Sequence, residues 1–146
     1  MELKQGVTAA AESFEDEPWD VVGHTYTPKL LSDAAFVWHA VLPAETFVPP
    51  HIHRTQDEWI SVLSGALEVE FEGEAVTAGA GDLVRMPKGR PHGVFNRSGE
   101  EATALFGVAP AGKLFALFQR LDGVTDPEEL VRLSAEHDVE FLPPPG

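Results

Sequence analysis

Between Trp19 and Pro110 the chain is interrupted by proline or glycine at intervals of roughly 8–12 residues, the spacing of turns in an all-β domain. Each proline lacks an amide donor, and the glycines permit the φ values of tight turns. Helices long enough to pack do not fit between such breaks, whereas strands do. The intervening runs are rich in Val, Phe, Trp and Thr, which suit a pleated, half-buried surface. The candidate strands are 22–31, 34–42, 47–53, 57–63, 66–72, 75–78, 82–86, 92–97 and 102–109. Ala66-Leu67-Glu68-Val69-Glu70-Phe71-Glu72 alternates apolar and acidic residues, as a strand with one wet face does. Pro87-Lys88-Gly89-Arg90-Pro91 is a turn.

The pattern changes after Pro110. Leu114, Phe115, Leu117, Phe118 and Leu121 recur at helical spacing within 112–121. Asp126-Pro127-Glu128-Glu129 starts a second helix, with Asp126 as N-cap, Pro127 at its first position and Glu129 at the capping-box position. It fades by His137-Asp138, where the imidazole meets the helix C-terminus, and 142–146 reads as an extended tail. Residues 1–18 are polar and acidic and read as a flexible arm. The expected organisation is therefore an arm over 1–18, a β-barrel over 19–110, and helices with a proline-rich tail over 111–146. The fold class is all-β, a sandwich or small barrel with two C-terminal helices.

Charge and composition limit the partners. Ten Lys+Arg against 24 Asp+Glu give a net charge of −14, which disfavours nucleic acid and anionic membranes. With no cysteine there is no disulfide scaffold, thiolate metal site or cysteine nucleophile. No apolar run approaches the ~20 residues of a membrane span, and Met1–Phe14 lacks the apolar core of a signal peptide. A cytoplasmic location is expected.

The chemistry concentrates in Pro50-His51-Ile52-His53-Arg54-Thr55-Gln56-Asp57-Glu58. On a strand His51 and His53 point to one face, where two imidazoles can share a metal ion. Glu58 has the wrong parity for that face unless the polar run 54–57 is a turn that resets the register. His92, just past the Pro/Gly turn, is a plausible fourth ligand.

These segments resemble the two motifs of the cupin superfamily. His51, His53, Glu58 and Gly65 match the first motif, with Glu45 standing where the family has glycine. Gly81, Pro87, Gly89, His92 and Asn96 match the second. The resemblance implies a cupin double-stranded β-helix, a jelly-roll-like small barrel. It is closest to small single-domain metal-binding cupins of the quercetin-dioxygenase-like kind. It also implies one divalent transition metal (Fe, Mn, Ni, Co or Zn) on His51, His53, Glu58 and His92, with Glu58 also serving in catalysis. Three neutral imidazoles and one carboxylate would leave net charge near +1, and a six-coordinate ion would keep two positions for water, substrate or dioxygen.

Fold alone does not name a reaction. The leading expectation is a dioxygenase-type oxidoreductase acting on a small, largely apolar substrate with oxygen donors, such as an enediol, flavonol or polyketide. The alternatives are a non-oxidative isomerase or polyketide cyclase using the metal as Lewis acid, and a binding or sensing module without turnover. Phe36, Trp38, Phe47, Phe95 and Phe106 are aromatic candidates for the pocket wall. His24 and Tyr26 share a face and read first as edge-strand residues. Arg85, Lys88, Arg90 and Arg97 read as a solvated turn. Small cupins of this kind pair through edge strands, so a homodimer is expected, with 22–31 as the candidate edge.

Overall fold

The computed structural model describes residues 2–143. Its first sheet has six strands: β1 (Trp19–Val21), β2 (His24–Leu31), β3 (Phe36–Leu42), β10 (Ala102–Ala109), β5 (Asp57–Ser64) and β8 (Leu83–Met86), in that spatial order. The second has five: β11 (Val139–Phe141), β4 (Phe47–His53), β9 (His92–Phe95), β6 (Ala66–Phe71) and β7 (Glu74–Gly79). Every pairing among the described residues is antiparallel. Two helices follow the main β-region, α1 (Leu114–Leu121) and α2 (Pro127–Glu136).

Alternation does most of the construction. In β3, Phe36, Trp38, Ala40 and Leu42 are buried while the residues between are half-exposed. In β10, Ala102, Ala104, Phe106 and Val108 are buried likewise, with Gly107 buried between the last two. Trp38 stacks between Phe36 and Phe106, with ring centroids at 4.9 and 5.4 Å. The buried stripe of α1, Leu114, Leu117, Phe118 and Leu121, lies against this face. Phe118 meets Trp38 and Tyr26 at 5.0 Å each and Trp19 and Phe36 at 5.9 Å each. The helices are therefore part of the core.

Local signals at the second helix are realised in part. The Asp126 carboxylate accepts the Glu128 amide at 3.1 Å, as an N-cap does. Glu129 turns instead toward Arg132, 3.5 Å away. His137 caps the far end, its Nδ1 on the Leu133 carbonyl at 2.8 Å.

Three details differ from the sequence reading. A short strand, β11, follows α2 where only a fading helix and a tail are expected; the tail's 144–146 lie outside the described residues. The 22–31 strand is not a free edge, because β1 pairs with His24–Tyr26. Farther along, Phe14 donates its amide to the Pro28 carbonyl, and Lys29 Nζ holds the carbonyls of Ala9, Ala10 and Glu12 at 2.6–3.1 Å. Lastly, Glu45 adopts φ 67°, the left-handed conformation for which the motif's glycine is suited, and its amide donates to the Asn96 carbonyl at 2.8 Å. The turn thus keeps its shape without the glycine.

Phe118→Ala is expected to cost about 3–5 kcal/mol, as large-to-small changes of buried Phe do, read as the shift in urea midpoint. A second prediction concerns His24, which is fully buried and whose pKa burial lowers from 6.5 to about 4. The unfolded chain takes up this proton first, so its contribution is complete above pH 6.5 and is lost as pH falls toward 4. The loss should be on the order of 3 kcal/mol. Urea melts of His24→Gln should show a correspondingly flatter acid limb.

Candidate metal centre

His51 and His53 sit at the end of β4, and His92 starts β9 directly opposite His51 in the ladder. The paired register brings the His51 and His92 rings to 4.5 Å, and alternation brings His53 to the same face. Residues 54–56 leave the strand, and the chain re-enters in the other sheet, where Glu58 faces inward. The turn thus resets the parity as expected. Glu58 Oε1 lies 2.8 Å from His92 Nε2 and 3.3 Å from His53 Nε2. One donor atom from each of His51, His53, Glu58 and His92 lies within 4.8 Å of the others, and all four residues are buried.

Neighbouring groups determine which ring nitrogens face the centre. Gln56 donates its amide nitrogen to the carbonyls of Pro110 (3.0 Å) and Ala111 (2.7 Å), so its oxygen is turned to His53 Nδ1 at 3.0 Å. His53 therefore carries its proton on Nδ1 and presents a lone pair on Nε2. The Pro49 carbonyl, 2.9 Å from His51 Nδ1, imposes the same tautomer there. Phe141 of β11 packs on the His51 ring at 5.4 Å. His92 Nδ1 is buried with no protein partner.

The electrostatics keep the donors ready. Burial, with His92 and His53 close by, lowers the His51 pKa to about 3 despite Glu58 and the Pro49 carbonyl, so its imidazole is neutral. Burial pushes the Glu58 carboxyl up. The imidazoles around it, His53 first, then His92 through its hydrogen bond, and His51, override burial and hold the group at about 2. A buried carboxylate facing three imidazoles, two with outward-anchored protons, is the donor set a divalent ion takes. The residues fit a metal.

The cluster forms one wall of a cavity of about 60 Å³. Tyr26, Trp38, Val94 and Phe106 line it from the strands. Leu114, Leu117, Phe118 and Leu121 of α1, with Leu130 and Ser134 of α2, close it. Of the aromatic candidates, Trp38 and Phe106 reach the cavity. Phe36 lies deeper in the core, and Phe47 stacks on Phe95 at 5.6 Å with Phe47 half exposed. Arg90 and Arg97 pair on the surface with Glu72 and with Glu68 and Glu70; none of the four basic residues lines the cavity. Sequence reasoning missed Gln56, Ser134 and Phe141 and discounted Tyr26. Gln56 looks like any turn residue, and nothing local indicates that it reaches Pro110.

Residues 37–108 match a family model described as a cupin domain. The fold they carry is that of a cupin. The chain is also 39% identical over 85 residues to germin-like protein 9-3 of Oryza sativa subsp. japonica, covering 52% of this chain and 40% of that one. It thus spans only about two fifths of the length of the curated relatives it matches. Among solved structures, an RmlC-like cupin from Shewanella frigidimarina superposes with TM-score 0.68 at 17% identity, covering 79% of this chain and 99% of that one. KdgF from Halomonas sp. gives 0.65 at 21%, covering 73% and 94%. At such identities the likeness supports the cupin fold. No described helix is long and apolar enough to cross a membrane.

His51→Ala and His92→Ala should each lower metal content, measured by plasma mass spectrometry, from about one equivalent to a small fraction, with far-UV circular dichroism unchanged. Gln56→Leu, which frees the His53 tautomer, should weaken metal affinity by about 10–100-fold.

Proposed function

We propose that this cupin is a metal-dependent enzyme of the dioxygenase type, acting on a small, largely apolar substrate that carries oxygen donors. The observation that carries this reading is the buried cluster of His51, His53, Glu58 and His92 donors, of which His51, His53 and Glu58 line a largely apolar cavity. When bound, a divalent transition ion supplies Lewis acidity and, if redox-active, electron exchange with O2. The chain's residues do the rest. Glu58 faces the cavity beside His92, so once displaced from a bound ion it is placed to accept the proton that an enol or enediol loses on binding. Tyr26, Trp38 and Phe106 offer faces to an apolar substrate body, and the α1 side chains exclude water.

The lining narrows the substrate to a largely apolar body that brings its oxygen donors to the metal end. A second reading, Lewis-acid isomerisation or cyclisation without O2, draws support from Tyr26. Its hydroxyl lies 3.1 Å from His24 Nδ1, and burial first, then the Glu58 charge, raises its pKa, so the cavity wall holds a phenol that stays protonated.

An oxygen electrode decides between them. With one equivalent of iron, manganese, nickel or cobalt, an enediol or flavonol substrate should drive stoichiometric O2 uptake. Glu58→Gln should retain part of the metal and lose about 10²–10⁴-fold in rate. Product formed with no O2 consumed assigns the second reading; an unchanged Glu58→Gln rate removes Glu58 from the chemistry.

A further inference from the structure

The strands β3, β10, β5 and β8 send alternate side chains away from the core, onto the outer face of the six-stranded sheet. In register across that face, Val37 lies opposite Gly107, Gly107 opposite Trp59, and Trp59 opposite Arg85. Two residues along, His39, Leu105, Ser61 and Leu83 form the next row. The Trp59 indole covers Gly107, where a Cβ would lie 2.1 Å from its Cζ2 atom. Leu63 and Leu83 are 47% and 55% exposed. Trp59 is half-buried, whereas Trp19 and Trp38, the other two tryptophans, are buried. The titratable outward residues of these four strands are His39, Arg85 and Asp57, and Asp57 lies at the start of β5 with its carboxylate on the Lys88 amide at 3.0 Å. The second sheet differs: Glu68 and Glu70 of β6 and Glu140 of β11 lie on its outer side.

We infer that this face is a self-association surface, on which a second copy of the chain packs sheet to sheet about a two-fold axis. Contiguous exposed apolar side chains of this kind mark interaction sites. Charge selects the second copy. Two bodies of net charge −14 repel, and a two-fold contact sets each surface against its own likeness. The glutamates of the five-stranded sheet would there meet glutamates, whereas the Trp59 face brings together apolar and neutral groups. Size agrees. Four strands span roughly 19 by 23 Å, or about 400 Å² in projection allowing for the short β8. Side-chain relief adds to that, so two copies bury on the order of 1,000 Å², the lower end for a specific interface. The edge pairing expected from the sequence offers less, because this sheet ends in β1 of three residues and β8 of four. The contact uses none of the metal donors and does not depend on the metal reading. Since the net charge lies outside it, added salt screens the repulsion and tightens the pair.

The test is sedimentation velocity on the full chain from about 1 to 200 μM, where an interface of this size should give a monomer–dimer equilibrium with Kd on the order of 10 μM. That Kd should fall several-fold as salt rises from about 50 to 500 mM. Trp59 reports on the face without any substitution. With Trp19 and Trp38 already buried in the monomer, acrylamide quenching of tryptophan emission should decrease in step with dimer formation. Leu63→Glu combined with Leu83→Glu should remain monomeric at about 200 μM with unchanged far-UV circular dichroism, because like charges then meet across the axis. Phe47→Glu, half exposed on the other sheet, should dimerise as the unmodified chain does. A chain that stays monomeric across the range, a dimer that survives the double substitution, or a dimer whose formation leaves the quenching unchanged overturns the inference.

Discussion

The contact between Glu58 Oε1 and the Nε2 atoms of His92 and His53 spans the two sheets, and the arrangement of the site depends on it. The imidazoles come from the five-stranded sheet and the carboxylate from the six-stranded one. A buried carboxylate is expensive unless charge and hydrogen bonds compensate it, and such a pair adds little to stability relative to a packed apolar core. Its value is positional. The carboxylate fixes where the facing strands place their donors, and the tight turn at 54–56 exists to carry the chain from one sheet to the other within three residues. Gly65 belongs to the same geometry. It has φ 74°, and a Cβ there would lie 2.8 Å from the Glu101 carbonyl oxygen, so the turn after β5 closes tightly only with glycine.

Much of this was legible in the sequence because it is written in short-range terms. Turn residues at fixed offsets define the strands, and the parity of His51 and His53 puts them on one face. The break at 54–57 explains how Glu58 joins them. The amphipathic spacing of α1 and the Asp126 cap were equally local. What escaped has a common cause: it depends on partners far along the chain. Gln56 matters through Pro110 and Ala111, Phe141 through His51, and Tyr26 through Phe118. β11 is three residues long, too short to show a period, and exists because β4 offers it an edge. The aromatic candidates could be ranked only by position in the barrel, which sends Trp38 and Phe106 to the cavity and Phe47 and Phe95 outward.

The segment after Pro110 shapes the chemistry as much as the motifs do. α1 supplies the apolar stopper, α2 supplies Ser134, and β11 lies along β4 behind the imidazoles, with Val139 opposite His53 and Phe141 opposite His51. Arg54 of the turn donates to Glu140 at 3.0 Å, which ties that strand to the segment leading to Glu58. Gln56 joins the start of this segment to His53 directly. The ligand strand and the lid are therefore one connected body, and the size of the cavity is set by residues outside the two motifs.

That division explains why the motifs alone leave the substrate open. They place donor atoms, and donor atoms of this kind accept many oxygen ligands. Selection falls to what surrounds them: a largely apolar wall to which no described lysine or arginine contributes. Side chains of β3, β10 and α1 form much of that wall, so a change in one of them alters which substrate body fits while the donor atoms stay where the motifs place them.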